Sequence, residues 1–385
     1  RGGDQAVVVQ NKATQFFGGT STVAAKATRV RARIVAQTIN EQMQASDKVF
    51  IMGHANEDYD AIGSAIGMAK LSLSLNKETY IVVSGRNENV NRISEMLASE
   101  SMKVTGHEED YNSIMVEEEE ALKHITPDSL LVLVDHHREI LTASKAVLEA
   151  ISKRIIVDHH RRAEDLIGDT VLLYLEPSSS STSELLTELV GYFNDRLEIT
   201  PAEATALYSG IVLDTKNFAV QTGERTFEAA ALLRRSGADP NMVRLMFKDD
   251  MDVLKLRARL IAEAKTIEPG IAIALYKRAE KGAKATILAA QVADTLINIE
   301  GIHVGVAINE YKDGSLGVSA RSDGSVNVQI IMEELGGGGH QTVAGVQLDN
   351  MRAADIEPQI IALAKKQLEQ LEEKDNNESD SVTRC

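Results

Sequence analysis

Histidine and aspartate residues recur at the ends of apolar runs in this sequence. The run Val49 to Met52 leads into a glycine, and His54, Asp58 and Asp60 follow that glycine within seven positions. A carboxylate at the end of a buried strand must be paired or must bind a cation, because an isolated buried charge is strongly unfavourable. Together these three side chains indicate the beginning of a metal site, although each alone is more often a cap or a satisfied polar group.

Three further apolar runs end in the same residue types. Asp135 ends the second run, Asp158 and His159 end the third, and Asp214 ends the fourth. Imidazole and carboxylate ligands favour Mn or Mg, with Zn and Fe as alternatives. We predict a site for two divalent ions in which His54, Asp58 and Asp214 hold one ion, Asp60 and His159 hold the other, and Asp135 bridges them.

Two such ions, ~3.5–4 Å apart, are suited to hydrolysis of a phosphate ester. A water shared by both ions becomes hydroxide near neutral pH and attacks phosphorus in line with the leaving oxygen, while the ions stabilise the added negative charge. We predict catalytic roles for Asp135, for Asp158, which would orient a histidine, and for His160, which would contact a substrate phosphate. For His160 an ordinary structural hydrogen bond is an equally good interpretation.

A glycine run near the end of the sequence indicates an anion-binding loop. Gly336, Gly337, Gly338 and Gly339 precede His340. Four consecutive glycines cost conformational entropy, but they let backbone N–H groups approach an anion closely.

Arg321 and Ser322 lie about fifteen residues before this run, and an arginine can bind a phosphate through two hydrogen bonds. We predict that Arg321, Ser322 and the run up to His340 bind the substrate. A plain flexible turn is the alternative interpretation of the glycines.

The elements that must position these residues follow an alternating pattern. Val/Ile/Leu-rich runs predict strands at Lys48 to Met52, Thr79 to Val83, Ser129 to Val134, Arg154 to Val157 and Val171 to Leu175, and helices at Thr28 to Gln44, Ala61 to Leu75, Val90 to Ala98 and Ile140 to Ile151. This alternation is typical of a parallel α/β sheet, in which ligands bind at the carboxyl ends of strands. The pattern turns helical from Ser181 to about Lys265, and after Pro269 and Gly270 strands return.

Composition limits the function classes. The 41 Lys plus Arg against 57 Asp plus Glu give a formal charge of −16, which argues against binding of long nucleic acids. Cys385 is the only cysteine, so disulfides within the chain and cysteine-based zinc sites are excluded. No run of 18 apolar residues occurs, so we expect no membrane contact by this chain. The sequence leaves the oligomeric state open, with a homodimer as one alternative.

Several motifs resemble those of the DHH phosphoesterase superfamily. GHANEDYDAIGSAIG, VLVDHH, IIVDHHRR and YSGIVLDTKNF resemble the successive motifs of its DHH domain, and VSARSDGSVNV with LGGGGHQTVAG resembles its DHHA1 substrate domain. The resemblance covers roughly residues 47 to 372. It implies a parallel-sheet DHH domain and a smaller α/β DHHA1 domain joined by a helical linker. It also implies metal roles for His54, Asp58, Asp60, Asp135, His159 and Asp214.

Two segments are similar to the cyclic-di-AMP phosphodiesterase branch of this superfamily. They are QTGERTFEAAALLRRSGADP and the first forty residues, which resemble the tail of a degenerate GGDEF domain. The resemblance implies Mn-dependent hydrolysis of cyclic di-AMP to pApA, at the cytoplasmic face of a membrane to which N-terminal helices of a longer parent would anchor it. The expected domains are a GGDEF-like tail and connector helix (1–40), DHH (41–249), a linker helix (250–268), DHHA1 (269–372) and a disordered tail (373–385).

Two departures from the family pattern bear on these assignments. Glu57 stands where many relatives have proline, which we expect to change only the stiffness of the loop. Asp-His-His also occurs twice, and we interpret His136 and His137 of the first copy as accessory. A nanoRNase or pAp phosphatase of the same superfamily, and a sensor that binds cyclic dinucleotides without hydrolysing them, remain alternative functions.

Overall fold

The computed structural model describes residues 6–10, 13–17, 22–98, 110–163, 165–193, 197–248, 250–267 and 270–382. The chain divides into two compact units, residues 1–248 and 249–385. Within these described ranges, no helix combines the length and the apolar character that crossing a membrane requires.

In the first unit, helices and strands alternate along most of the chain. In order they are β1 (Ala6–Gln10), β2 (Ala13–Phe17), α1 (Thr22–Gln44), β3 (Lys48–Met52), α2 (Tyr59–Ser74), β4 (Glu78–Val82), α3 (Glu88–Ala98), α4 (Tyr111–Ile114), β5 (Met115–Val116), α5 (Glu118–His124), β6 (Leu130–Val134), α6 (Lys145–Ala150), β7 (Lys153–Asp158), β8 (Leu172–Leu175), α7 (Thr182–Phe193), α8 (Pro201–Asp214), α9 (Glu224–Arg235) and α10 (Pro240–Met246). Strands β1 and β2 form a separate antiparallel pair.

Six strands of the first unit form one parallel sheet in the order β5-β4-β3-β6-β7-β8. The order reverses between β3 and β6, which are neighbours in the sheet although β4 and β5 lie between them in the sequence. Loops that leave two such strands diverge and open a crevice at their carboxyl ends. The prediction of an α/β fold with a parallel sheet is confirmed.

Both faces of this sheet are buried, which explains why its strands are continuous apolar runs. Val49 and Ile51 of β3 face a core that includes α1, α2, α7 and α8. Phe50 and Met52 face the opposite core, which includes residues of α5 and α6. The sheet is therefore held rigidly between two layers of helices, and the ends of its strands are fixed positions for functional side chains.

The second unit contains another six-stranded sheet. Its elements are α11 (Met251–Ala262), β9 (Lys265–Ile267), β10 (Ile271–Ala279), α12 (Ala283–Leu296), β11 (Val304–Tyr311), β12 (Leu316–Ser322), α13 (Val328–Glu334), β13 (Gly338–Gly339), β14 (Val343–Leu348) and α14 (Ala353–Val382). The strand order is β13-β14-β12-β11-β10-β9, with β10 and β11 parallel and the other pairs antiparallel. One face packs on α13 and α14, and the other packs on α11 and α12.

Some local predictions differ from the structure. The helix predicted at Ile140 to Ile151 is instead a short 3₁₀ turn followed by α6, because Ser144 caps α6 by accepting a hydrogen bond from Val147 N at 3.1 Å. Helix α14 continues to Val382, through most of the segment for which the composition indicates disorder.

Candidate metal centre

The histidines and aspartates singled out in the sequence meet at the carboxyl ends of three adjacent strands. His54 follows β3, Asp135 follows β6 and His159 follows β7, so the cluster lies where the strand order reverses. Asp135 has a left-handed backbone conformation, with φ of 63°. This conformation is unfavourable for a non-glycine residue and is found preferentially at functional sites.

The loop between β3 and α2 is fixed by its own carboxylates. Asp58 caps α2, because its Oδ1 accepts hydrogen bonds from the backbone N–H groups of Asp60 at 2.9 Å and Ala61 at 3.0 Å. Glu57 is buried and accepts hydrogen bonds from Ser84 N at 2.5 Å, Ser84 Oγ at 3.0 Å and Asn87 Nδ2 at 3.2 Å. Glu57 therefore ties this loop to the loop after β4, a contact that goes beyond the predicted effect on loop stiffness.

The first group of potential ligands consists of His54, Asp58 and Asp135. One donor atom from each lies within 4.8 Å of the others. His54 Nε2 is 3.7 Å from Asp58 Oδ2 and 3.5 Å from Asp135 Oδ2. The donor atoms of this group could surround one cation.

The second group consists of Asp60, His159 and Asp214, again within 4.8 Å. His159 Nε2 is 3.1 Å from Asp214 Oδ2 and 3.6 Å from Asp135 Oδ1, so Asp135 lies beside both groups. Our division of the ligands placed Asp214 with His54 and Asp58, and the structure instead places Asp214 beside His159. Spacing along the sequence could not reveal this, because Asp214 is the last residue of α8 and its neighbours depend on how α8 packs against α2.

The beginning of α7 supports both groups, and the sequence analysis missed it. The backbone N–H groups of Thr182 and Ser183 donate to the two oxygens of Asp60 at 2.7 and 2.8 Å. The Thr182 hydroxyl donates to Asp135 Oδ1 at 3.0 Å. The sequence signal for this role is the run of small polar residues that ends in Thr182 and Ser183. In the structure this run is buried from Ser179 onward.

Two glycines allow α8 to approach these carboxylates. A methyl group on Gly210 would lie 2.5 Å from Asp60 Oδ1 and 2.9 Å from Asp60 Cα, and a methyl group on Gly63 would overlap the carbonyl of Ala206. No larger side chain fits at either position without displacement of the backbone. The close packing of α2 against α8 brings Asp214 to the site.

The electrostatics of the cluster indicate a missing positive charge. Burial and the neighbouring Asp60 raise the pKa of Asp135 well above its usual range, and the same two causes raise the pKa of Asp214 to about 7. Burial lowers the pKa of His54, but Asp135 and Asp58 outweigh this effect and raise it to about 11. In the same way burial lowers the pKa of His159, but Asp214 and its neighbours raise it to about 10.

These shifts mean that the side chains alone neutralise their charges by binding protons. His159 Nε2 is also buried and makes no well-aligned hydrogen bond to a described residue, although Asp214 Oδ2 lies 3.1 Å away. Divalent cations would replace the protons and would bind this nitrogen together with the carboxylates. The residues present therefore fit a metal centre built from carboxylate and imidazole ligands.

Asp158 and His160 form a hydrogen-bonded pair beside this cluster. Asp158 Oδ1 accepts from His160 N at 3.0 Å and lies 2.7 Å from His160 Nδ1. Burial raises the pKa of Asp158, but hydrogen bonds from His137 and His160 outweigh it and hold that pKa far below its usual range. The side chain of His160 is 54% exposed and can meet a ligand. By contrast, His136 is buried, and burial lowers its pKa to about 4.

In the second unit, Arg321 and Ser322 lie at the end of β12. Arg321 Nε donates to Asp294 Oδ1 at 3.1 Å and Nη1 donates to the carbonyl of Ala320 at 3.0 Å. The Ser322 hydroxyl is buried and accepts from Gly324 N at 3.0 Å and Val326 N at 3.3 Å, so it holds the turn after β12.

The glycine run lies between α13 and β14. Gly336 and Gly339 have φ of 86° and 150°, and methyl groups on Gly337 and Gly339 would overlap β14. A methyl group on Gly338 would meet nothing within 4 Å. His340, at the end of the run, is exposed. The backbone conformation or the packing against β14 thus requires glycine at three of the four positions, and neither requires it at Gly338.

Comparison with known proteins agrees with this architecture. Residues 48–211 match the model of the DHH family, N-terminal domain, and residues 272–370 match that of the DHHA1 domain. The chain therefore contains a DHH family domain followed by a DHHA1 domain.

Two curated relatives are similar over 94% of the chain. They are the cyclic-di-AMP phosphodiesterase PdeA of Listeria monocytogenes (40% identity over 366 residues) and the cyclic-di-AMP phosphodiesterase GdpP of Geobacillus thermodenitrificans (42% over 361 residues). The chain spans 54% of the length of each, about half. The crystal structure of an exopolyphosphatase-related protein from Bacteroides fragilis has the same fold, with a TM-score of 0.70, 19% identity and coverage of 88% of this chain and 96% of that one.

Proposed function

We propose that this chain is the catalytic part of a metal-dependent phosphodiesterase that hydrolyses cyclic di-AMP to linear pApA. The observation that carries the proposal is the cluster of four carboxylates and two imidazoles at the strand-order reversal of the parallel sheet. The names of the curated relatives supply the substrate. The net charge of −16 is consistent with a small substrate rather than a long nucleic acid.

We assign one ion to His54, Asp58 and Asp135, and the other to Asp60, His159 and Asp214, with Asp135 shared. Oxygen and imidazole ligands make Mn²⁺ our choice of metal. When bound, such ions would supply an activated water as the nucleophile and positive charge that stabilises the phosphate. That the ions are Mn²⁺ and number two stays a prediction.

The protein's own residues orient the substrate and the ligands. Asp158 accepts the Nδ1 proton of His160, which leaves Nε2 of His160 free to bind a proton and then to donate it to a phosphate oxygen or the leaving oxygen. Thr182 holds the carboxylate of Asp135 in one orientation through its hydroxyl. These fixed positions allow attack without rearrangement of the site.

For the second unit, we retain Arg321, Ser322, the glycines from Gly336 to Gly339 and His340 as proposed substrate contacts. Arg321 must share its guanidinium with Asp294, and Ser322 has only its hydroxyl proton left to donate. Gly338 leaves open space beside its backbone, as expected where a ligand approaches closely. The membrane anchor of a longer parent and a homodimer also stay predictions.

A substrate panel tests the proposal. Purified protein with Mn²⁺ is incubated with cyclic di-AMP, cyclic di-GMP or pApA, and the products are separated by chromatography. We expect pApA from cyclic di-AMP. Turnover of pApA alone would favour the nanoRNase or pAp phosphatase alternative, and tight binding of cyclic di-AMP without product would favour the sensor.

Asp135→Asn tests the shared ligand. We expect it to abolish hydrolysis, because the amide cannot provide two anionic oxygens to the two groups. Asp165→Asn is the matched control, since Asp165 is an exposed carboxylate that pairs with Arg138 at 2.7 Å, away from both ligand groups. Full activity in Asp135→Asn would refute the assignment.

A further inference from the structure

His137, the last residue of the first Asp-His-His copy, is buried and uses both of its ring nitrogens. Nδ1 lies 2.5 Å from Asp158 Oδ2, and Nε2 lies 3.0 Å from the backbone nitrogen of Ala163. A backbone N–H can only donate, so Nε2 must present its lone pair. The ring is therefore neutral, with its proton on Nδ1, and it donates that proton to Asp158.

His137 also anchors the segment from Asp158 to Ile167 at three points. Besides the two ring contacts, the carbonyl of His137 accepts a hydrogen bond from Ile167 N at 2.9 Å. This segment carries His159 and His160. One residue of the first copy thus fixes the loop that contains the second copy.

Each oxygen of Asp158 contacts a different histidine. Oδ2 contacts His137, and Oδ1 accepts from both the backbone N–H and Nδ1 of His160. Asp158 is fully buried, so no solvent replaces a lost partner. Since a carboxylate that is held at both oxygens cannot rotate, it keeps a proton on Nδ1 of His160, and in the neutral ring Nε2 then presents the lone pair.

We propose that His137 is a positioning residue that, through Asp158, fixes the tautomer and orientation of His160. The value of this arrangement to catalysis rests on the proposed function, whereas the coupling between the two histidines is a property of the protein itself. A purely structural His137 would anchor the loop through Ala163 and Ile167 and would leave the tautomer of His160 unaffected.

Two substitutions separate these roles. In His137→Asn, the amide NH₂ takes the place of Nδ1 and can still donate to Asp158, but the acceptor for Ala163 is lost. In His137→Gln, the longer amide takes the place of Nε2 and can still accept from Ala163, but donation to Asp158 is lost. Each variant therefore keeps one contact of the native ring.

The first readout is ¹⁵N NMR of the histidine rings, recorded with Mg²⁺ because Mn²⁺ is paramagnetic. The chain has nine histidines, a number that single substitutions can assign. We expect His160 in the wild type and in His137→Asn to show a protonated Nδ1 and a bare Nε2. In His137→Gln we expect a mixture of tautomers.

The second readout is hydrolysis of cyclic di-AMP with Mn²⁺. We expect kcat/KM to fall roughly 10- to 100-fold in His137→Gln and to remain near the wild-type value in His137→Asn, with thermal midpoints and metal affinities alike in both. An unchanged His160 tautomer in His137→Gln, or equal losses in the two variants that follow their loss of thermal stability, would overturn the inference.

The two proposals fail separately. If the wild type does not hydrolyse cyclic di-AMP, the proposed function fails, and the NMR comparison still decides whether His137 controls His160. If the wild type is active and the tautomer does not respond to His137→Gln, only the inference fails.

Discussion

Thr182→Val is the sharpest test of the support around the metal ligands. Thr182 is fully buried, and its hydroxyl donates to Asp135 Oδ1 at 3.0 Å, while its backbone N–H donates to Asp60. Valine has nearly the same shape, so the substitution removes the side-chain hydrogen bond and leaves the backbone bond in place. The carboxylate that lies beside both ligand groups then loses one of the contacts that orient it.

The magnitude follows from the charge on the acceptor. A hydrogen bond to a charged group contributes about 1.5–3 kcal/mol, and about 1.4 kcal/mol corresponds to a factor of ten in an equilibrium constant. We therefore expect Thr182→Val to weaken Mn²⁺ binding and to lower kcat by roughly 10- to 100-fold, the range found when contacts behind metal ligands are removed. Thr182→Ser retains the hydroxyl and should restore most of the loss.

Thr187→Val is the matched control. Thr187 is also buried in α7, but its hydroxyl donates to the carbonyl of Ser183 at 2.7 Å and contacts no carboxylate. Metal binding is measured from the signal of free Mn²⁺ by electron paramagnetic resonance, and folding is followed by thermal melting. The reasoning is refuted if Thr182→Val keeps wild-type affinity and turnover, or if Thr187→Val loses them equally.

Two further predictions concern the glycine run and the protons of the metal centre. Gly338→Ala should raise the KM for cyclic di-AMP, because its methyl group occupies the space proposed for the substrate, and it should not lower the thermal midpoint, because that methyl group meets no protein atom within 4 Å. Gly337→Ala should cost about 1–3 kcal/mol of stability by overlap with β14. An unchanged KM in Gly338→Ala would remove Gly338 from the proposed substrate contacts. Since His54 and His159 have pKa values of about 11 and 10, both carry protons at about pH 7, and metal loading must release at least these two. Apparent Mn²⁺ affinity should therefore rise with pH through neutrality, and calorimetry in buffers of different ionisation enthalpy should detect the protons; the absence of net release would contradict the role of these imidazoles.

The sequence predicts where the cluster lies because apolar runs mark the ends of strands. Strand β3 has the predicted bounds, and the residues after β3, β6 and β7 meet as expected from the carboxyl ends of neighbouring parallel strands. Each of these strands is an apolar run buried on both faces, so its end is marked by the first polar residue. This physical rule needs no knowledge of the tertiary structure.

The division of ligands between ions could not be predicted in the same way. Asp214 reaches the site on α8, and its partner depends on how closely α8 packs against α2. Thr182 and Ser183 were missed because their contribution comes mainly from backbone N–H groups at the start of a helix, which any residue except proline provides. The contacts of Glu57 could not be predicted because its partners, Ser84 and Asn87, lie in a loop after another strand.

Gly210 has a consequence for comparing members of this family. A single methyl group there would overlap Ser183 Oγ and would lie 2.5 Å from Asp60 Oδ1, so Asp60 and the start of α7 share the space that a side chain would fill. The residue type at this position can be compared between homologues without a structure. A homologue with a bulkier residue at this point of its α8 must have moved this aspartate or the start of its α7, even where all its histidines and aspartates are present in the sequence.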